Sequence, residues 1–187
     1  MKLKSLLAVA LVAGASSAMA GDFYVAGSVG QSDVNINAPG GTKDESDTAY
    51  KLNLGWQFHK NFALETGYFD LGKGKATFPG ANYEFKADGW GVGIVGSLPL
   101  NDQWSVFGRV AAVDVKVKQS CSGALCPAGA TADSTNWNGN YGLGVQWDFT
   151  KQVGVRAEYE RFDKVGGTSA SSKYDVDVWS LGVVVKF

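Results

Sequence analysis

From residue 21 onward the chain alternates apolar with small or polar residues, run after run, each about ten residues long before Gly, Asn, Asp, Ser or Pro interrupts it. A period of two belongs to strands, because successive side chains point to opposite faces. In one run Tyr50, Leu52, Leu54, Trp56 and Phe58 share a face, and Lys51, Asn53, Gly55 and Gln57 share the other. Similar runs begin at Phe23, Phe62, Trp90, Trp104, Tyr141, Val153 and Trp179, so the expectation is eight strands and an all-β fold. The interruptions alternate in length. Long ones at 33–48, 71–85, 119–135 and 163–173 alternate with short ones at 59–61, 99–103 and 150–152. That rhythm predicts an eight-stranded antiparallel transmembrane β-barrel of up-and-down topology, with long extracellular loops and short periplasmic turns.

A soluble β-barrel also alternates, but it points its large apolar side chains inward. Here the opposite face is rich in glycine, including Gly55, Gly67, Gly89, Gly91, Gly93, Gly142, Gly144, Gly154 and Gly182, which would make a poor soluble core. Small residues suit the narrow interior of eight strands. Aromatics on the apolar face cluster at the strand ends. Phe58, Phe62, Trp104, Trp147, Phe149 and Phe187 fall toward the short turns, and Tyr50, Tyr68, Trp90, Tyr141, Tyr159 and Trp179 toward the long loops. These are the expected interfacial girdles.

The N-terminus reads as an export signal. Lys2 and Lys4 precede the apolar run Leu6–Ala13, and Ala18-Met-Ala20 supplies a small-residue cleavage site. Residues 1–20 are thus expected to be a cleaved signal peptide, and residues 21–187 one barrel domain. Without the two signal lysines, 15 basic residues face 18 acidic ones, with no basic block, so nucleic acid is not an expected partner. Cys121 and Cys126 are the only cysteines, and in an exported chain they are expected to form a local disulfide. So short a loop should gain only roughly 2 kcal/mol on the chain-entropy model. A zinc site would want further ligands, and no His lies nearby.

Three segments carry a resemblance: Phe23-Tyr-Val-Ala-Gly-Ser-Val-Gly30, Leu64-Glu-Thr-Gly-Tyr-Phe-Asp-Leu-Gly72 and Trp179-Ser-Leu-Gly-Val-Val-Val-Lys-Phe187. In these the chain resembles the OmpA-like transmembrane domain and small outer-membrane barrels related to it, across nearly all of residues 21–187. The resemblance implies the outer membrane of a Gram-negative bacterium and contact with its lipid and lipopolysaccharide. It also implies that Phe187 serves as the terminal signal read by the barrel-insertion machinery. The expected function is non-enzymatic, in membrane structure or surface interaction.

Other motifs carry less. Gly91-Val-Gly93-Ile-Val-Gly96 matches a dinucleotide fingerprint, but it keeps strand alternation where the fingerprint needs a strand-to-helix turn. His59 is the only histidine and falls in the first short turn, far from where surface enzymes of such membranes place their catalytic base, so no catalytic residue and no cofactor are assigned. Lys51, Glu65, Arg109, Asp148, Arg156, Glu158, Glu160 and Lys186 share the inward phase, four of each sign. Charges in a narrow lumen need partners, so a balanced set predicts a salt-bridge network with Glu65 and Arg109 at its centre. A plugged interior is favoured over a small passive pore. Lys116, Lys118 and Arg161 continue the outward face to the headgroup level, as candidate contacts for lipopolysaccharide phosphate. Asp114, Asp175 and Asp177 share that level, which favours a solvated face. The Gly- and Ser-rich loops are expected to be mobile and to meet any surface partner, and eight strands close without help, so a monomer is expected.

Overall fold

The structure, a computed structural model, describes residues 22–38, 41–78, 81–122, 131–166 and 173–187. The expected signal peptide and the Gly21 start lie outside these residues. Eight strands follow one another: β1 (Phe23–Ala38), β2 (Gly41–His59), β3 (Phe62–Phe78), β4 (Ala81–Pro99), β5 (Trp104–Ser122), β6 (Thr131–Asp148), β7 (Val153–Gly166) and β8 (Lys173–Lys186). Each pairs antiparallel with its neighbour in sequence. The first and last also pair, Val25 opposite Val185, so the sheet closes into an up-and-down barrel. Closure leaves no strand edge, which a spanning sheet requires because hydrocarbon offers backbone groups no partner.

The apolar face points outward. Leu52, Leu54, Ile94, Val110, Leu143 and Leu181 are all at least half exposed, while Lys51, Glu65, Arg109 and Glu160 are buried. The aromatic girdles pair across strands. Trp104 stacks on Trp147 at 5.9 Å near the short turns, and Tyr159 meets Trp179 at 4.7 Å near the other rim. Inside, missing side chains make room for large ones. A Cβ on Gly55 would fall 2.1 Å from the Tyr24 ring, and one on Gly144 would fall 2.3 Å from that of Phe107. The glycine-rich segment 91–96 lies within β4, with no helix following it.

The outer ends differ from the expectation. Much of what reads as long loops is strand: Val34 to Ala38 pairs with Gly41 to Glu45, and Lys73 to Phe78 with Ala81 to Lys86. A 19-residue strand such as β2 is about 60 Å long and, even tilted by some 45°, outreaches an apolar band of about 25 Å. Beyond the band the alternation inverts. In Val113-Asp-Val115-Lys-Val117-Lys118 the valines are buried inside and the lysines exposed outside, and Val176 and Val178 are buried in the same way. Water now bathes the outer face, so the apolar side must turn inward as in a soluble barrel. Of the loops expected to be mobile, residues 41–47 are strand and residues 167–172 lie outside the described ones.

A bulge marks the same transition on β3, where the register with β4 shifts between Asp70 and Lys73. Gly72 there has φ of +82°, and a Cβ would meet the Asp47 carboxylate at 2.7 Å. Asp47 accepts the Lys73 amide at 2.5 Å and Asp70 accepts that of Gly72 at 2.9 Å, which satisfies the amides the ladder drops. Gly72→Ala is expected to lower stability by about 1–2 kcal/mol in urea unfolding from bilayers, since a left-handed L-residue carries that strain. Gly27→Ala, where a Cβ meets nothing within 4 Å, is expected to change it by less than about 0.5 kcal/mol.

Candidate functional site

Period two on β2, β3, β5 and β7 aims Lys51, Glu65, Arg109, Arg156, Glu158 and Glu160 at the barrel axis, where they meet in one layer. Arg109 is the hub. Its guanidinium is hydrogen-bonded to Glu65, lies 3.3 Å from Glu160 and approaches Glu158 at 3.4 Å. Lys51 pairs with Glu158 at 2.8 Å and also with Glu160. Arg156 reaches Glu65 at 2.9 Å, and the Tyr24 hydroxyl donates to the same carboxylate at 2.6 Å. Three cations thus face three carboxylates, which is how buried charge is tolerated. Glu160 is fully buried.

Asp148 and Lys186, expected in the same network, sit apart at the periplasmic mouth, partly exposed and paired at 2.6 Å. Gln146 joins the two groups. Its amide donates to Asp148 at 2.8 Å and its carbonyl accepts from Arg156 at 3.2 Å. The guanidinium of Arg156 also stacks over the Phe107 ring at 4.5 Å. Tyr24 and Gln146 were missed because each looks unremarkable in its own run. Only the barrel's register brings them to Glu65 and Arg156.

Apolar layers lie on both sides of the charges. On the periplasmic side Tyr24, Ala26, Ala63, Val95, Phe107 and Val184 form one cluster. On the outer side Phe69 and Phe162, 5.1 Å apart, pack with Leu71, Val113, Val115, Val117, Val176 and Val178. A void of about 20 Å³ remains beside Arg109 and Glu160, space for about one water molecule. A wider space of about 160 Å³ opens at the periplasmic mouth, lined by Gln57, Lys60, Asp148 and Lys186. His59, the last residue of β2, is exposed beside the first turn, where it accepts the Asn61 amide at 3.2 Å and its ring packs on Phe62 at 5.7 Å.

On the outer surface, Lys116 and Lys118 are exposed on β5, opposite Asp88 and Lys86 of β4. Arg161 stands two strands away on β7 and grips Asp177 with hydrogen bonds of 2.7 and 2.9 Å. The Tyr159 hydroxyl adds a third at 2.8 Å. Arg161's hydrogen bond above all holds the Asp177 carboxyl below the usual carboxylate range. The three cations therefore do not form one cluster. Cys121 lies near the end of β5, and its expected partner Cys126 lies outside the described residues.

An apolar outer wall, two aromatic girdles and a charge-filled lumen define a small transmembrane barrel of the outer-membrane type. The family profile of the OmpA-like transmembrane domain matches residues 18–187, and the chain belongs to that family. Among solved structures it is similar to Neisserial surface protein A, at 14% identity over 88% of this chain and 97% of that one, with a TM-score of 0.66. Ail, the attachment invasion locus protein of Yersinia pestis, gives 20% identity over 90% and 100%, with a TM-score of 0.61. The N-terminal barrel of Pseudomonas aeruginosa OprF gives 10% identity over 89% and 98%, with a TM-score of 0.57. At these identities the likeness speaks for the fold. No curated protein sequence matches the chain.

Removing one partner of a buried ion pair strands the other, at roughly 3–5 kcal/mol. Lys51→Met is expected to lower the urea midpoint accordingly, and adding Glu160→Gln to recover at least half of the loss. Losses that simply add would show that the two residues are not coupled.

Proposed function

We propose that this protein is a non-conducting, non-enzymatic barrel that contributes to outer-membrane structure and meets its partners through its extracellular end. One observation carries the reading: the lumen is filled by a neutral layer of six buried charges between two apolar layers. An ion crossing it would have to part Arg109 from three carboxylates and then shed its water beside Phe69 and Phe162. The alternation that continues past the membrane builds a rigid stalk for the loops, a placement suited to recognition. Ail, similar in fold, is named for attachment and invasion and has been crystallised with the heparin analogue sucrose octasulfate. That supports a surface role for a barrel of this shape.

Several finer points belong to the same proposal. Residues 1–20 are removed on export and Phe187, whose amide donates to the Phe23 carbonyl at 3.0 Å, is read by the insertion machinery. Cys121 and Cys126 pair, and the barrel works as a monomer. Lys116 and Lys118 lie at the level of lipopolysaccharide phosphate, with Asp88 as a competing partner. His59 is committed to its own turn, which leaves general-base catalysis without a carrier.

Refolded residues 21–187 in a planar lipid bilayer are expected to show no discrete channel openings. Arg109→Ala is expected to stay silent too, because the apolar layers remain. Reproducible openings of the unaltered barrel would overturn the reading in favour of a small pore. Openings only in Arg109→Ala would show that the charge layer alone makes the seal.

A further inference from the structure

One carboxylate on the outer face stands between two tryptophans. The register sets Tyr68, Trp90, Asp114 and Trp137 side by side across β3, β4, β5 and β6. Val113 and Val115 are buried inside, so Asp114 between them points outward. Trp90 and Trp137 are 60% and 69% exposed, and Tyr68 braces Trp90 edge-on at 5.4 Å. At some 4.8 Å per strand the two indoles are rooted about 10 Å apart, with the short Asp114 side chain between their roots. One row toward the hydrocarbon, β5 and β6 carry only Ala112 and Gly139, and a Cβ on Gly139 would meet nothing within 4 Å. The Asp114 oxygen Oδ1 is buried and has no hydrogen-bond partner among the described residues, a state that costs free energy until a donor arrives. A similar combination occurs on β7 and β8, and there it is filled. Arg161 clasps both oxygens of Asp177, with the rings of Tyr159 and Trp179 one row below. The chain has three arginines. Arg109 and Arg156 are held in the lumen and Arg161 holds Asp177, so neither this chain nor a second copy has one to spare for Asp114.

We propose that Trp90, Asp114 and Trp137 form a receptor for a guanidinium group, the side chain of an arginine that a partner protein presents at the outer surface of the membrane. Shape selects that group. A guanidinium is flat, so it stacks on indole faces, and its fork meets both oxygens of one carboxylate. A compact ammonium matches the charge without the plane or the fork. The surroundings agree in sign. The next row out carries Asp70, Asp88 and Lys116, and Lys86 pairs with Asp70 at 2.8 Å. Lys118, further out, stands opposite Asp133 in the register. With Asp114 itself, four carboxylates face three ammonium groups, so the patch keeps a negative charge for an incoming cation. The outer girdle is also drier than bulk water, which strengthens both the ion pair and the contact of a cation with a ring.

The inference adds a contact on the wall and does not rest on a silent lumen or on binding by the loops, so its failure would leave both untouched. Its test is nuclear magnetic resonance of isotope-labelled indole N–H groups in the refolded barrel, in dodecyl maltoside micelles that carry neither phosphate nor amine. N-acetyl-arginine amide is expected to shift the Trp90 and Trp137 signals along a saturable curve and to leave those of Trp104 and Trp147, at the other girdle, unmoved. N-acetyl-citrulline amide, of the same shape without the charge, is expected to need at least about tenfold more for the same shift. Asp114→Asn is expected to weaken arginine binding at least about fivefold, with slowed gel migration before boiling verifying its fold. If that variant does not fold, Trp137→Leu read at Trp90 takes its place with the same expected loss. No saturable shift in the unaltered barrel, or unchanged binding in the folded variant, would overturn the proposal. So would N-acetyl-lysine amide binding as tightly as the arginine, or magnesium shifting both indoles at lower concentration, which would make this a site for inorganic cations. Binding of agmatine without binding of the blocked arginine would also overturn it, since the ligand would then be a free small guanidine.

Discussion

In hydrocarbon an unpaired backbone N–H or C=O costs several kcal/mol, and the architecture of this chain follows from avoiding that cost. A sheet satisfies the requirement only by closing, and β1 pairs with β8 to close it. Closure with eight strands leaves an interior just wide enough for side chains. Period two then divides every strand between a face that meets lipid and a face that meets seven other strands across a narrow axis. Glycine at positions such as Gly55 and Gly144 is a consequence, because Tyr24 and Phe107 need the space.

The same narrowness explains the charges. Arg109 on β5 can reach three carboxylates on β3 and β7 because strands two places away on either side curve within reach of a long side chain, and Arg156 on β7 crosses to Glu65 on the opposite strand β3. A buried ion pair is weak evidence of stability, but the interlocked arrangement fixes register, since a shift of one residue would turn Glu160 to lipid and Arg161 to the lumen. Register is what a closed barrel most needs specified. Apolar layers above and below flank the charged layer. The layer on the outer side belongs to the part of the barrel that stands in water, where the alternation inverts.

The central band was legible because two signals coincide there: Tyr50, Leu52, Leu54 and Trp56 alternate with Lys51, Asn53 and Gly55, and lipid rewards the large members. Strand count and turn positions followed, as did the inward phase of Glu65, Arg109 and Glu160. The outer ends were not legible as strands, because polar residues such as Asp44 or Lys75 look like loop when no lipid dictates their face. Val113, Val115 and Val117 held the clue, an alternation with its polarity reversed, which marks the membrane surface. Tyr24 and Gln146 depend on cross-barrel geometry that no single strand encodes.

The central claim is the inside-out partition, with apolar side chains outward in lipid around a charged interior. Spin labels at Leu54 and Val145, read by electron paramagnetic resonance in bilayers, test it directly through collisions with oxygen and with a water-soluble nickel chelate. The account predicts that both labels are reached by oxygen and shielded from nickel, as lipid-facing sites are. Strong nickel collisions at both positions would mean that these side chains face water, and the assignment of the two faces would have to be reversed.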